Sequence, residues 1–255
     1  MPYLNAGASR LYHEVHGEGP PVVLLHGVGG NHASWFHQFS ALRERFTLIA
    51  IDARGFGNSE DVEGLGRSAF MSDLALVLDA LELPRVSIVA QSMGGGTAAS
   101  FTCQYPRRVR SLVLADTLVG IELPAAIQPF MKEVSEKGMA LTQLQRVLGP
   151  TFSAREPAMS ALYLALASFN SVNVRTLTGT QPKSTTAQLS ASGVPILFIA
   201  GEEDVLFPPR AIQAVQAEVA GSAYAEIAQA GHSAYFENPA PFNELIADWI
   251  LGHGD

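Results

Sequence analysis

The chain has 255 residues, with 16 lysines and arginines against 24 aspartates and glutamates, a formal charge of −8. At 47% hydrophobic and 16% charged residues it is far from the composition of a disordered chain, and its length suits one large α/β domain carrying an insertion. The acidic balance argues against nucleic acid or an anionic membrane surface as a partner.

The start of the chain lacks a basic segment followed by an apolar run, so no signal peptide is seen. No stretch approaches the roughly 18 apolar residues of a membrane span. The single Cys103 forms no internal disulfide, and a cytoplasmic location is expected.

In chain order, Pro2 to His16 reads as a hairpin turning near Gly7, an antiparallel edge. Apolar runs follow at Val22 to Leu25, Thr47 to Ile51, Val86 to Ala90, Leu112 to Ala115, Pro195 to Ala200 and Tyr224 to Ala228. Such runs suit strands covered on both faces. Helical spacing lies between them at Ala33 to Leu42, Met71 to Leu81, Gly94 to Gln104 and Ile212 to Val219. The alternation predicts an α/β fold with a mostly parallel sheet flanked by helices. From Leu118 to Gln188 the strands stop and helical pieces broken by Pro and Gly take over, so a core of 1–117 and 189–255 is expected to carry a helical insertion, 118–188.

The chemistry concentrates in a few loops. Val86 to Gln91 runs into Ser92-Met93-Gly94-Gly95-Gly96, a strand-to-helix turn that presents Ser92 as a nucleophile; bulky side chains at positions 90 and 94 would crowd it. A serine hydroxyl needs a base, and the base needs an orienting acid. His232, in the loop after the last strand, is the expected base. Asp204 is the expected acid, in chain order Ser, Asp, His, with Asp116 as the alternative. His13, His16 and His253 read as surface residues. A tetrahedral intermediate needs two N–H donors: Met93, after the serine, and Val28 in His26-Gly27-Val28-Gly29-Gly30. No paired spacing suggests a metal, no Gly-rich phosphate loop is present, and no cofactor is expected.

These motifs, with Asp52 to Ser59 and Glu237-Asn238-Pro239, resemble the α/β-hydrolase superfamily over nearly all the chain outside the insertion. The resemblance makes 118–188 a cap over the active site and Asp52 to Ser59, including Arg54, a structural brace. It implies a serine hydrolase acting on a small or medium ester or lactone, in pattern similar to carboxylesterases and 3-oxoadipate enol-lactonase. The alternatives are a carbon–carbon bond hydrolase of the meta-cleavage type, a cofactor-free perhydrolase or oxygenase, and a non-catalytic binder of small molecules. Trp35, Phe130, Met131, Phe152 and Tyr163 are candidate pocket residues. The insertion holds six basic and four acidic residues, so Arg146, Arg155 or Arg175 could attract a substrate carboxylate. The sequence carries no signal for an oligomeric state.

Overall fold

The structure is a computed structural model that describes residues 2–254. Eight strands form one sheet: β1 (Tyr3–Ala6), β2 (Ser9–His16), β3 (Pro21–Leu25), β4 (Thr47–Ile51), β5 (Val86–Gln91), β6 (Val109–Ala115), β7 (Ile196–Gly201) and β8 (Ala223–Ile227). Their order is β1-β2-β4-β3-β5-β6-β7-β8, with β1–β2 and β2–β4 antiparallel and every other pair parallel. The chain steps one way from β3 to β4, then returns to place β5 on the other side of β3. That reversal opens a crevice beyond the carboxyl ends of β3 and β5, where open parallel sheets bind ligands.

Helices α1 (Phe36–Leu42), α2 (Phe70–Ala80) and α3 (Met93–Gln104) precede the insertion, which holds α4 (Gln128–Met139), α5 (Gln143–Val147), α6 (Pro150–Arg155) and α7 (Pro157–Ala167). The remaining helices are α8 (Thr186–Ala191), α9 (Pro209–Gln216), α10 (Ala234–Glu237) and α11 (Pro239–Gly252).

Side chains alternate across a strand, so an unbroken apolar run feeds two cores. Val86, Ile88 and Ala90 of β5 enter one core with Leu74, Val77 and Leu78 of α2 and Phe101 of α3. Val89, between them, enters the other core with Phe242, Ile246 and Ile250 of α11. The strands β3, β4, β6 and β7 divide in the same way.

The start of the 118–188 segment joins the first of these cores through Leu118, Ile121 and Ile127 before α4, and Leu189 of α8, just past its end, joins it too. Helix α8 crosses the expected boundary at 188. The hairpin differs from expectation in one residue: His13 faces inward and is buried, because it shares a side of β2 with the buried Ser9 and Leu11. Among the described residues no helix is long and apolar enough to cross a membrane.

Candidate active site

Ser92 sits between β5 and α3 with φ 48° and ψ −115°, a left-handed conformation that costs a non-glycine residue about 1–3 kcal/mol. Its peptide is tied down: its N–H donates to the Ala115 carbonyl (3.1 Å) and its carbonyl accepts from the Thr117 hydroxyl (2.7 Å). The loop after β3 passes so close that a Cβ on Gly27 would lie 2.8 Å from the Ser92 Cβ. At Gly94 a Cβ would meet the Leu25 carbonyl oxygen at 2.5 Å, so smallness there is imposed by β3, not by Ser92 as the sequence implied.

His232 and Asp204 converge on the serine from the loops after β8 and β7. His232 Nε2 lies 2.9 Å from Ser92 Oγ, and His232 Nδ1 lies 3.0 Å from Asp204 Oδ2. A carboxylate only accepts, so Nδ1 carries the proton and Nε2 is left to accept from the serine hydroxyl. Asp204 Oδ1 accepts from the Leu206 and Phe207 N–H groups, and Gln91 Nε2 donates to the His232 carbonyl at 2.6 Å. Both His232 and Asp204 are buried. Burial alone works against charge on the imidazole. The charge and hydrogen bond of Asp204, with Asp116 and Glu237 behind it, outweigh that and hold His232 above the ordinary histidine pKa.

Asp116, the other candidate acid, takes a different place. Its Oδ1 accepts from Gly201 N–H (2.7 Å) and its Oδ2 from Ala234 N–H (3.0 Å), so it ties the end of β7 to the histidine loop. Burial, aided by the charge of Asp204, pushes its carboxyl up to about 8.

The N–H groups of Val28 and Met93 have no acceptor within the protein among the described residues. The loop that presents Val28 is held from behind. Ala53 N–H donates to His26 Nε2 (3.0 Å), which leaves His26 Nδ1 to donate to the Gly27 carbonyl (2.7 Å). Asp52 accepts from the His32 N–H (2.6 Å) and the Asn58 N–H (2.8 Å), and the Arg54 guanidinium grips Asp73 through two bonds.

Of the expected pocket residues, Tyr163 of α7 reaches this region: its hydroxyl accepts from Ser233 Oγ (2.9 Å), and its ring lies beside Gly29. Phe152 is buried against Phe236, while Phe130 and Met131 are half-buried against the core, with Arg210 4.9 Å over the Phe130 ring. Trp35 requires a correction. It has no exposed surface and stacks on Tyr235 within the core, so it does not border an open cleft.

Val172 and Leu177, which the sequence did not single out, pack with Val28, Met93, Phe56 and Phe70 into an apolar wall. Asn170 was missed as well; it donates to the Gly30 carbonyl (3.2 Å) and accepts from Gly57 N–H (2.9 Å). No local motif marks residues that act from the insertion. Among the described residues no cluster of His, Cys, Asp and Glu is arranged to hold a metal ion.

Residues 20–239 match the alpha/beta hydrolase fold family. The chain belongs to that family. A thermophilic esterase from Thermogutta terrifontis is 26% identical, with a TM-score of 0.81 over 96% of this chain and 94% of that one. Est816, described as an N-acyl homoserine lactone degrading enzyme, is 25% identical, with a TM-score of 0.80 over 97% of this α/β hydrolase and all of Est816. A 2-hydroxy-6-oxo-2,4-heptadienoate hydrolase of Pseudomonas putida is 39% identical over 44% of this chain and 42% of its own.

Proposed function

We propose that this α/β hydrolase is a serine hydrolase of small or medium carboxylic esters or lactones, with Ser92 as nucleophile, His232 as base and Asp204 as orienting acid. The observation that carries the reading is the unbroken chain of contacts from Asp204 through His232 to Ser92, at 3.0 and 2.9 Å. Two similar proteins that span nearly the whole chain, by their descriptions an esterase and a lactone-degrading enzyme, support the same bond type.

The chemistry follows from the geometry. Ser92 Oγ attacks the substrate carbonyl carbon as its proton passes to His232 Nε2. The carbonyl oxygen becomes an oxyanion and accepts from the open N–H groups of Val28 and Met93; losing one such donor costs about 10²–10³ in rate. His232 then gives its proton to the departing alkoxide oxygen, leaving an acyl group on Ser92. In a lactone the leaving oxygen stays tethered. A water that gives its proton to His232 attacks the acyl carbon; His232 returns that proton to Ser92 Oγ as the acyl–oxygen bond breaks, releasing the carboxylic acid. In this scheme the insertion is a cap, and the wall of Val28, Met93, Val172 and Leu177 receives the apolar part of the substrate.

Turnover of a panel of short-chain aryl esters, homoserine lactones and ring-cleavage dienones tests the reading. Esters or lactones should be the best substrates, by at least about tenfold in kcat/KM, a factor within reach of pocket contacts. Turnover of the dienones alone would replace it with carbon–carbon bond hydrolysis.

A further inference from the structure

Glu237 ends α10, five residues after His232, and has no part in the serine chemistry above. It is buried, at 2% exposure. Its carboxylate accepts three backbone hydrogen bonds: Oε1 from Ser233 N–H (3.0 Å), and Oε2 from Gly231 N–H (2.9 Å) and Gly149 N–H (2.7 Å). Gly231 and Ser233 flank His232, while Gly149 leads into α6 of the insertion. The two glycines are pressed together, so that a Cβ on Gly149 would come within 2.9 Å of the Gly231 nitrogen. A second carboxylate, Glu203 beside Asp204, accepts from the N–H (3.0 Å) and hydroxyl of Thr151, which ties the same turn to the acid loop.

We propose that Glu237 is a positioning residue for His232: its ionised carboxylate holds the peptides on both sides of the imidazole and locks them to the insertion. The proposal rests on the reading of His232 as the base. A carboxylate accepts on both oxygens with a full charge, whereas the neutral acid carries on one of them a hydrogen that faces N–H donors and finds no acceptor among them, so its bonds weaken.

The surroundings bring that protonation within reach of neutral pH. Burial, with a further push from the charge of Asp204, raises Glu237 to about 7 against the opposing effect of its three N–H donors. The groups facing this junction are His232 on the same loop, Asp204 and Glu203 from the loop after β7, Asp116 from the end of β6 and Tyr163 from α7. Asp116, raised to about 8, holds its proton through the acidic range, and Tyr163, raised to about 12, stays neutral.

Falling pH therefore acts on the base twice, by protonating His232 and by releasing its loop. The test compares wild type with Glu237→Gln, which keeps the size of the side chain and removes its charge. The acidic limb of log kcat against pH should descend with a slope near two in wild type and near one in the variant. In the variant kcat should fall at least about a hundredfold with KM within about twofold, as for a misplaced base.

NMR titration of the His232 imidazole is read independently of turnover, and its pKa should be lower in Glu237→Gln because a neighbouring negative charge is gone. Ser92→Ala separately tests the serine reading, so the two failures are distinguishable. A wild-type limb of slope one overturns the proposal, as does a variant whose slope and His232 titration match wild type. If Glu237→Gln does not fold, the wild-type slope alone decides, two supporting and one overturning.

Discussion

At the scale of single residues, the two acids behind the histidine show what spacing can and cannot resolve. Asp116 and Asp204 both follow the carboxyl end of a strand, and either could orient His232 on that ground alone. The choice is made by tertiary structure: the loop after β7 carries Asp204 to the imidazole, while Asp116 spends both oxygens on backbone N–H groups.

Burial of Asp116 has a consequence for stability. Asp116 and Glu237 are raised to about 8 and about 7, so between roughly pH 4 and 7 the folded protein holds protons that the unfolded chain has lost. The stability these groups contribute is fully present below their unfolded pKa values and is lost as pH rises through the folded ones. Thermal melts should therefore show Tm falling between about pH 4 and 8 as far as these two groups are concerned, with a shallower fall in Asp116→Asn. An unchanged slope in the variant would contradict this account of Asp116.

At the scale of elements, the buried strands were legible because an apolar run with both faces covered has few other uses. The expected run Thr47 to Ile51 is β4 itself, and Val86 to Ala90 extends by one residue to Gln91. His13 was misread because alternation in an edge hairpin, unlike composition, decides which side chains turn inward. Of α7 only Tyr163 was legible, as a pocket residue, and its bond to Ser233 was not.

Tyr163 and the chain just beyond α7 at Asn170 touch Gly29, Ser233, Gly30 and Gly57, so the helix acts as a strut between the loops that carry Val28 and His232. Asn170→Ala removes bonds to Gly30 and Gly57 and should lower Tm by about 3–8 °C, the effect of about 1–3 kcal/mol in a chain of this size. Phe169→Ser, one residue earlier, changes a side chain that is 71% exposed and should shift Tm by no more than about 1–2 °C. Equal shifts in the two variants would remove the argument for a strut.

At the scale of the whole molecule, the charge of −8 divides between an insertion with two more basic than acidic residues and a body that is more negative than the total. Of the three insertion arginines expected to draw in a carboxylate, two stand at the surface. Arg155 is exposed and bonds to Gln229, Arg175 is exposed on the loop after α7, and Lys132 and Lys137 pair with Glu136 and Glu133 along α4. Around His232, by contrast, stand the carboxylate of Asp204 and, above about pH 7, that of Glu237. A neutral ester should therefore exceed a matched anionic one by about tenfold in kcat/KM at low salt, and the gap should narrow as salt screens the field. An anionic preference abolished by neutralising Arg146, Arg155 or Arg175 would restore the carboxylate reading.

The central claim is that Ser92 carries the acyl group, and mass spectrometry of the protein quenched during turnover of a short-chain aryl ester tests it most directly. One acyl increment is expected on the peptide containing Ser92 in wild type. In Ser92→Ala no increment is expected, with a loss of turnover of at least about 10³-fold. Undiminished turnover in Ser92→Ala, or an increment on another residue, would contradict it.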